Sequence, residues 1–272
     1  MNFRIVGATE AGLSEGRQSR VSILEYERAG QTHQVLWKRM GAGKGLDEGE
    51  ATSFNARLRP YRQSLARAGW RLPKLLYTRV AELPDEHQIL AYEQFIAGGD
   101  GEKLLASPAE PNFRKWFLMS EVVRRLYDYP EDQLNRTNVS GREVTRLPHG
   151  LDLKLANVVL EAGTNEMYFV DLFGPKELDA RGQWLSYSPK LDTLPPANLM
   201  AVTATREGAL LRCWRLAERH WADGYKAPEE LRADFMAALS ELSLPADELS
   251  LVRSEVEAGY PWLDKLYRET VV

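Results

Sequence analysis

Strand-forming and helix-forming segments are segregated along this chain, and that separation limits the folds open to it. The first hundred residues hold runs rich in β-branched and aromatic side chains: VSILEY (21–26), QVLWKRM (34–40), KLLYTRV (74–80) and QILAYEQFI (88–96). Ala29-Gly30-Gln31 reads as the hairpin turn between the first two, and ATEAGLSEGRQS (8–19) as a small polar loop between strands. One helical segment interrupts the strands. In DEGEATSFNARLRPYRQSLARAGW, residues Ala51, Phe54, Leu58, Tyr61, Leu65 and Ala68 recur every three or four positions. Pro60 predicts a kink or split in that helix. AGGDGEKLLASPAEP (97–111) reads as a flexible connection.

From Asn112 the pattern is mostly helical. NFRKWFLMSEVVRRLYDY places Phe113, Trp116, Phe117, Val123, Leu126 and Tyr127 on an apolar stripe. GALLRCWRLAERHWADGY and ELRADFMAALSELS carry the same period. The exceptions are VVL and MYFVDLF, two short strands joined by EAGTNE. The pattern predicts an α+β protein of two lobes, with an antiparallel sheet and one main helix in 1–97 and a mostly helical part in 98–272.

At 272 residues, with 44% hydrophobic and 27% charged side chains, the chain can bury a sizeable core. A net charge of -4 gives no global basic field to draw it to nucleic acid or anionic lipid. The single cysteine, Cys213, excludes an intramolecular disulfide, and zinc-type Cys/His spacing is absent. Both suit a reducing cytoplasm. MNFRIVGATEAG lacks the apolar core of a signal peptide, and no apolar run is long enough for a membrane span. Oligomeric state is open.

The chemistry concentrates in HGLDLKLANVVL (149–160). Phosphoryl transfer needs a group that orients the attacking hydroxyl, hard oxygen ligands for Mg²⁺, and positive charge near the moving phosphoryl group. Asp152 can accept or align the hydroxyl proton, Asn157 can hold a metal, and Lys154 can neutralise charge. Fourteen residues after Asn157 comes VDLFG, where Asp171 offers a second hard oxygen ligand. The VVL/MYFV hairpin brings the two loops to one place. Ordinary turn roles for Asp152 and Asn157 are the competing reading.

D-L-K-x-x-N followed by D-x-F-G resembles the catalytic and metal loops of protein kinases. His149-Gly150 resembles the His-Gly-Asp of aminoglycoside phosphotransferases and related small-molecule kinases, with Leu151 inserted before the aspartate. In that register SEGRQSRV (14–21) matches the glycine-rich phosphate loop, with Ser14, Gly16 and Ser19 at its small positions and Val21 keeping its place. VLWK resembles V-A-I-K, which implies Lys38 as the phosphate-pairing lysine. Glu50 of the following helix is implied as its partner, with Glu48 the alternative. EQFIAGGD (93–100) resembles the hinge, whose backbone from Glu93 to Phe95 would meet adenine.

The resemblance covers residues 3–175 and implies a bilobal protein-kinase-like fold using ATP and Mg²⁺. The anchoring A-P-E of protein kinases is missing, which favours a small-molecule hydroxyl acceptor such as an aminoglycoside or sugar. A protein acceptor, or a kinase-like scaffold without strong activity, are the rival readings. His149 reads as a packed loop residue, Trp116/Phe117 and Trp214/Trp221 as core, Arg124-Arg125 as a solvated face, and Glu50 also fits a plain first-turn acid.

Overall fold

The computed structural model describes residues 4–10, 19–28, 30–221, 228–242 and 244–268. Strands β1 (Arg4–Glu10), β2 (Ser19–Arg28), β3 (Gln31–Met40), β4 (Leu75–Glu82) and β5 (His87–Gln94) form one antiparallel sheet in the order β1-β2-β3-β5-β4. Helix α1 (Glu48–Arg67) lies between β3 and β4 in sequence and packs on β4 and β5. Beyond the sheet the chain is dominated by helices, as the periodicity predicts, and the fold is α+β, with the antiparallel sheet in its N-terminal part and the helices in its C-terminal part.

Helix α1 departs from expectation at Pro60, which does not break it. Proline removes one backbone donor. Pro60 lies on the exposed face, as does Ala56, so water can satisfy the freed carbonyl. The opposite face buries Ala51, Phe54, Leu58, Tyr61 and Leu65 and holds the helix in place.

The connection after β5 is ordered. Gly98–Asp100 form a short strand, β6, followed by helix α2 (Gly101–Ala106). β6 hydrogen-bonds to β9 (Val158–Glu161), which pairs in turn with β10 (Met167–Phe169). A Cβ at Gly98 would fall on the carbonyl oxygen of Leu160, so the small residues here serve close approach rather than freedom. Asp100 caps α2 through its side chain.

Helix α3 (Asn112–Tyr127) buries Leu118, Met119, Val122, Val123 and Leu126, leaving Phe113 and Phe117 exposed, so the predicted stripe is rotated. A hairpin without strong strand propensity follows, β7 (Asn135–Val139) and β8 (Arg142–Arg146). Helices α4 (Pro196–Thr203), α5 (Arg206–Trp221), α6 (Pro228–Glu241), α7 (Ala246–Glu257) and α8 (Pro261–Arg268) complete the helical part. Trp214 and Trp221 are buried in α5 with Trp116 stacked against them, while Arg124 is paired with Glu121 and Asp128 on the surface. The apolar core runs unbroken from Met40 and Ile89 through Phe54 and Leu155 to Trp214 and Leu263. Among the described residues no helix is long and apolar enough to cross a membrane.

The crossing of α4 and α5 depends on Gly208. A Cβ there would meet the carbonyl oxygen of Ala201, with Thr205 Oγ1 close behind. Backbone cannot retreat as a side chain can, so Gly208→Ala is expected to destabilise the fold by about 2–3 kcal/mol, read from urea denaturation. An unchanged midpoint would refute the tight crossing.

Candidate functional site

Two loops and one strand meet between the sheet and the helices. The register of β9 against β10 sets Val158 opposite Phe169, so Asn157 and Val170, one step beyond, also face each other. The backbone N–H of Val170 donates to the carbonyl of Asn157 at 2.8 Å. Asn157 Nδ2 donates to the carbonyl of Asp152 at 2.8 Å, which closes the 152–157 loop on itself. Lys38 Nζ donates to the carbonyl of Val170 at 2.5 Å, tying β3 to the residue before Asp171. One continuous set of hydrogen bonds thus joins Lys38, Asn157, Asp152 and the approach to Asp171.

The partner of Lys38 is Glu93, not Glu50. Lys38 Nζ lies 2.8 Å from Glu93 Oε2, and both side chains are buried. Arg62 of α1 holds the other oxygen of Glu93 at 2.7 Å and also donates to the carbonyl of Pro73. Glu50 instead closes a capping box with Asp47 at the start of α1. Its carboxylate then reaches Ser188 Oγ at 3.0 Å and Lys190 Nζ at 2.5 Å. The plain first-turn reading of Glu50 is the one the geometry bears out. Glu48 is exposed and makes no ion pair with Lys38. The D-E-G-E spacing was the missed signal, since Asp three residues before Glu marks a helix start.

The hinge expectation also shifts. Glu93 lies inside β5, paired to Leu36 of β3 on one side and Leu75 of β4 on the other. Its backbone is committed to the sheet, as is the N–H of Gln94, which donates to the carbonyl of Lys74, and Phe95 and Ile96 are the cavity-lining residues just beyond the strand.

That space is a cavity of about 390 Å³. Ser19, Val21 and Ile23 roof it, Leu36 and Lys38 back it, and Ala156, Asn157, Val170 and Asp171 form its floor. Gln94, Asp100 and Lys103 also line it, and mostly apolar walls with Lys38, Asn157 and Asp171 grouped together suit a flat heteroaromatic ring carrying a charged tail. Ser19 is buried with its hydroxyl unpartnered among the described residues. Ser14 and Gly16 lie outside the described residues.

A second cavity of about 770 Å³ opens on the other side of Asn157 and Asp171. Asp152 and Lys154 line it together with Lys176, Asp192 and residues of α4, α5 and α8. Asp152 accepts ion pairs from Arg212 Nη2 at 2.6 Å and Lys154 Nζ at 3.0 Å, one on each oxygen. Burial alone would push its carboxyl up. Arg212, then Lys154 and Lys176, overcome that and hold it well below the usual carboxylate range. Arg212 escaped the sequence reading because helical spacing gives the face of a side chain but not what that face meets.

Asp171 behaves oppositely. Burial pushes its carboxyl up, Lys38 opposes this, and nearby Asp152 adds to it. The protein alone leaves this charge incompletely balanced, beside an Asn157 amide whose oxygen has no partner among the described residues. Two hard oxygen donors at a cavity junction fit Mg²⁺, which takes few protein ligands and fills its shell with water and phosphate oxygens. Among the described residues no group of three or more His, Cys, Asp or Glu side chains is arranged for a metal.

His149 faces neither cavity. Its Nδ1 is 2.9 Å from Ser64 Oγ and its Nε2 is 2.8 Å from the Tyr129 hydroxyl. Tyr61 donates to the carbonyl of Gly150 at 2.7 Å, and the backbone N–H of Leu151 donates to the carbonyl of Thr203. The inserted Leu151 is fully buried in the core. These contacts fasten the start of the loop to α1 and α4.

No family model matches the sequence. No curated protein matches it either. Among solved structures it is similar to the kinase PK-1 of Cydia pomonella granulovirus, at 12% identity and a TM-score of 0.38. The alignment covers 65% of this chain, which spans about half (55%) of the viral kinase. A likeness of that depth assigns no activity.

The buried Lys38–Glu93–Arg62 triad makes Glu93→Gln costly, about 3 kcal/mol or more, because two cations lose their counter-charge out of water. Glu50→Gln, whose lysine partner is solvated, should change stability little. Urea denaturation of both variants separates the assignments, and equal losses would overturn the Glu93 pairing.

His149 supplies a pH test. Burial pushes its pKa down to about 4, so the folded state keeps it neutral while the unfolded chain takes a proton below the ordinary histidine value. Its stability contribution is complete above that value and is lost as pH falls toward 4. Glu207, buried and pushed up to about 7, acts in the opposite sense between pH 4.5 and 7, so comparison with a variant is needed. The stability advantage of the wild type over His149→Gln should shrink by about 2 kcal/mol between pH 7 and pH 5. A constant gap would mean His149 is not held neutral.

Proposed function

We propose that this chain is an ATP- and Mg²⁺-dependent phosphotransferase that phosphorylates a hydroxyl group of a small molecule. One observation carries the reading: two cavities of different character meet at Asn157 and Asp171, with Lys38 at the wall of one and Asp152 at the wall of the other. A phosphoryl donor on one side and an acceptor on the other would face each other across that junction. The nucleotide-binding lobe would be 1–97 and the acceptor lobe 98–272.

The adenine ring would lie between Val21, Ile23 and Leu36 on one side and Val159 on the other, against the backbone of Gln94 to Ile96. Lys38, held by Glu93, would neutralise the inner phosphates. Asn157 and Asp171 would hold Mg²⁺, which when bound shields phosphate charge and fixes phosphate geometry. Asp152 would align the acceptor hydroxyl. Its strongly ionised state makes it a weak base and a good hydrogen-bond acceptor, which suits a loose transition state that needs little proton removal before bond formation. Lys154 would balance charge on the moving phosphoryl group. The second cavity is walled by helices and of small-molecule size, which favours a small acceptor over a polypeptide.

Asp152→Ala should lower turnover by about 10²- to 10⁴-fold and leave Mg·ATP affinity nearly unchanged. Asp171→Ala should remove the gain in nucleotide affinity that Mg²⁺ gives the wild type. Calorimetric titrations with and without Mg²⁺, beside transfer assays with labelled ATP, test both. A wild type that binds ATP equally well in either condition would sink the metal assignment.

A further inference from the structure

The charges around the second cavity are not evenly available. Asp152 is already occupied by Arg212 and Lys154, Asp192 by Lys176 at 2.8 Å, and Asp264 by Arg215 at 2.6 Å. Asp171 belongs to the metal junction described above. The remaining acid is Glu102, whose nearest cation is His220 at 3.9 Å. On the basic side, Arg212 and Lys154 share one carboxylate, and Arg219 is exposed with no ion pair among the described residues. A polycationic acceptor would therefore find most wall acids satisfied and would face basic side chains.

Helix α5 gives the unpaired positive charge a direction. Arg212, Arg215 and Arg219 are three and four residues apart, so they stand on one face, and all three line the cavity with Leu216 between them. Arg212 touches Asp152, while Arg219 is seven residues further on, roughly 10 Å along the helix axis. The walls also carry Leu194, Leu199, Leu216, Leu263 and the ring of Tyr267, and the Arg215–Asp264 pair lies between the two ends of the arginine face. The cavity thus has Asp152 at one end of that face and Arg219, without an ion pair among the described residues, at the other, with apolar side chains on its walls. A guanidinium offers a planar fork of donors that matches carboxylate or phosphate oxygens.

We infer that the acceptor is an anionic hydroxy compound, bearing a carboxylate or phosphate roughly 10 Å from the hydroxyl that receives the phosphoryl group. This rests on the phosphotransferase reading above and narrows it away from cationic acceptors such as aminoglycosides. Arg219 binds the anionic group, and the leucines and Tyr267 cover the carbon skeleton. The step is a simple transfer: the acceptor oxygen bonds to the γ-phosphorus as the bond to ADP breaks, and the hydroxyl proton leaves to water.

The test uses the full chain, γ-labelled ATP, Mg²⁺ and a metabolite extract separated by ion exchange into anionic, neutral and cationic pools. Label should move to compounds of the anionic pool. With the acceptor purified from that pool, Arg219→Glu should lower kcat/KM by about tenfold or more, mainly through KM, and Arg219→Ala by less. Both variants should keep wild-type Mg·ATP affinity and Tm, because Arg219 is exposed and lines only the second cavity. Transfer confined to the neutral or cationic pools, or an anionic acceptor indifferent to Arg219→Glu, would overturn this inference and leave the phosphotransferase reading standing. No transfer to any pool by a chain that binds Mg·ATP would overturn that reading, and the inference with it.

Discussion

The site rests on a short chain of hydrogen bonds that no single element could make alone. Asn157 closes its own loop through its side chain, its carbonyl receives the backbone of Val170, and the carbonyl of Val170 receives Lys38. Each link uses a backbone group that would otherwise be buried without a partner, so each also removes a desolvation cost. The outcome is that a lysine from the sheet, an amide from one loop and a carboxylate from the next share one junction. The arrangement is rigid for the same reason that it is stable.

Charge compensation divides the site into two parts. Around Glu93, two cations surround one carboxylate beneath the sheet, and because Arg62 comes from α1, the helix is coupled to Lys38 through that acid. Around Asp152, two cations again surround one carboxylate, but here they face an open cavity. Asp171 lies between these groups with the weakest compensation of the three. A half-buried acid so placed, lining both cavities, is one whose charge a divalent cation would balance. The second cavity carries three arginines along α5, whose close approach to α4 is set by a glycine.

Much of this was readable from residues in order. The strand runs at 21–26, 34–40, 74–80 and 88–96 all lie in or across strands, because β-branched and aromatic side chains fit a pleated, half-buried surface. The spacing of Asp152, Asn157 and Asp171 around a hairpin was legible because a hairpin fixes where its ends go. The partner of Lys38 was not. Glu50 and Glu48 are the acids that follow Lys38 most closely in sequence after Asp47, and only the sheet register, which sets Lys38 opposite Ala91, brings Glu93 within reach. The exposed Phe113 and Phe117 make the same point for packing, since periodicity gives a helix its faces without saying which one is covered.

The sequence by itself determined the segregation of strands and helices, the loop that holds Asp152 and Asn157, and the hairpin that returns the chain to Asp171. These depend on local propensity and on contacts over a few residues, where chain geometry leaves few choices. Tertiary structure alone decided that Glu93 and Arg62 surround Lys38, that Arg212 rests on Asp152, and that an arginine face looks into a cavity. Those pairings join residues 31 to 60 positions apart, and they form because burial forces each charge to find whichever opposite charge the packed core brings near it.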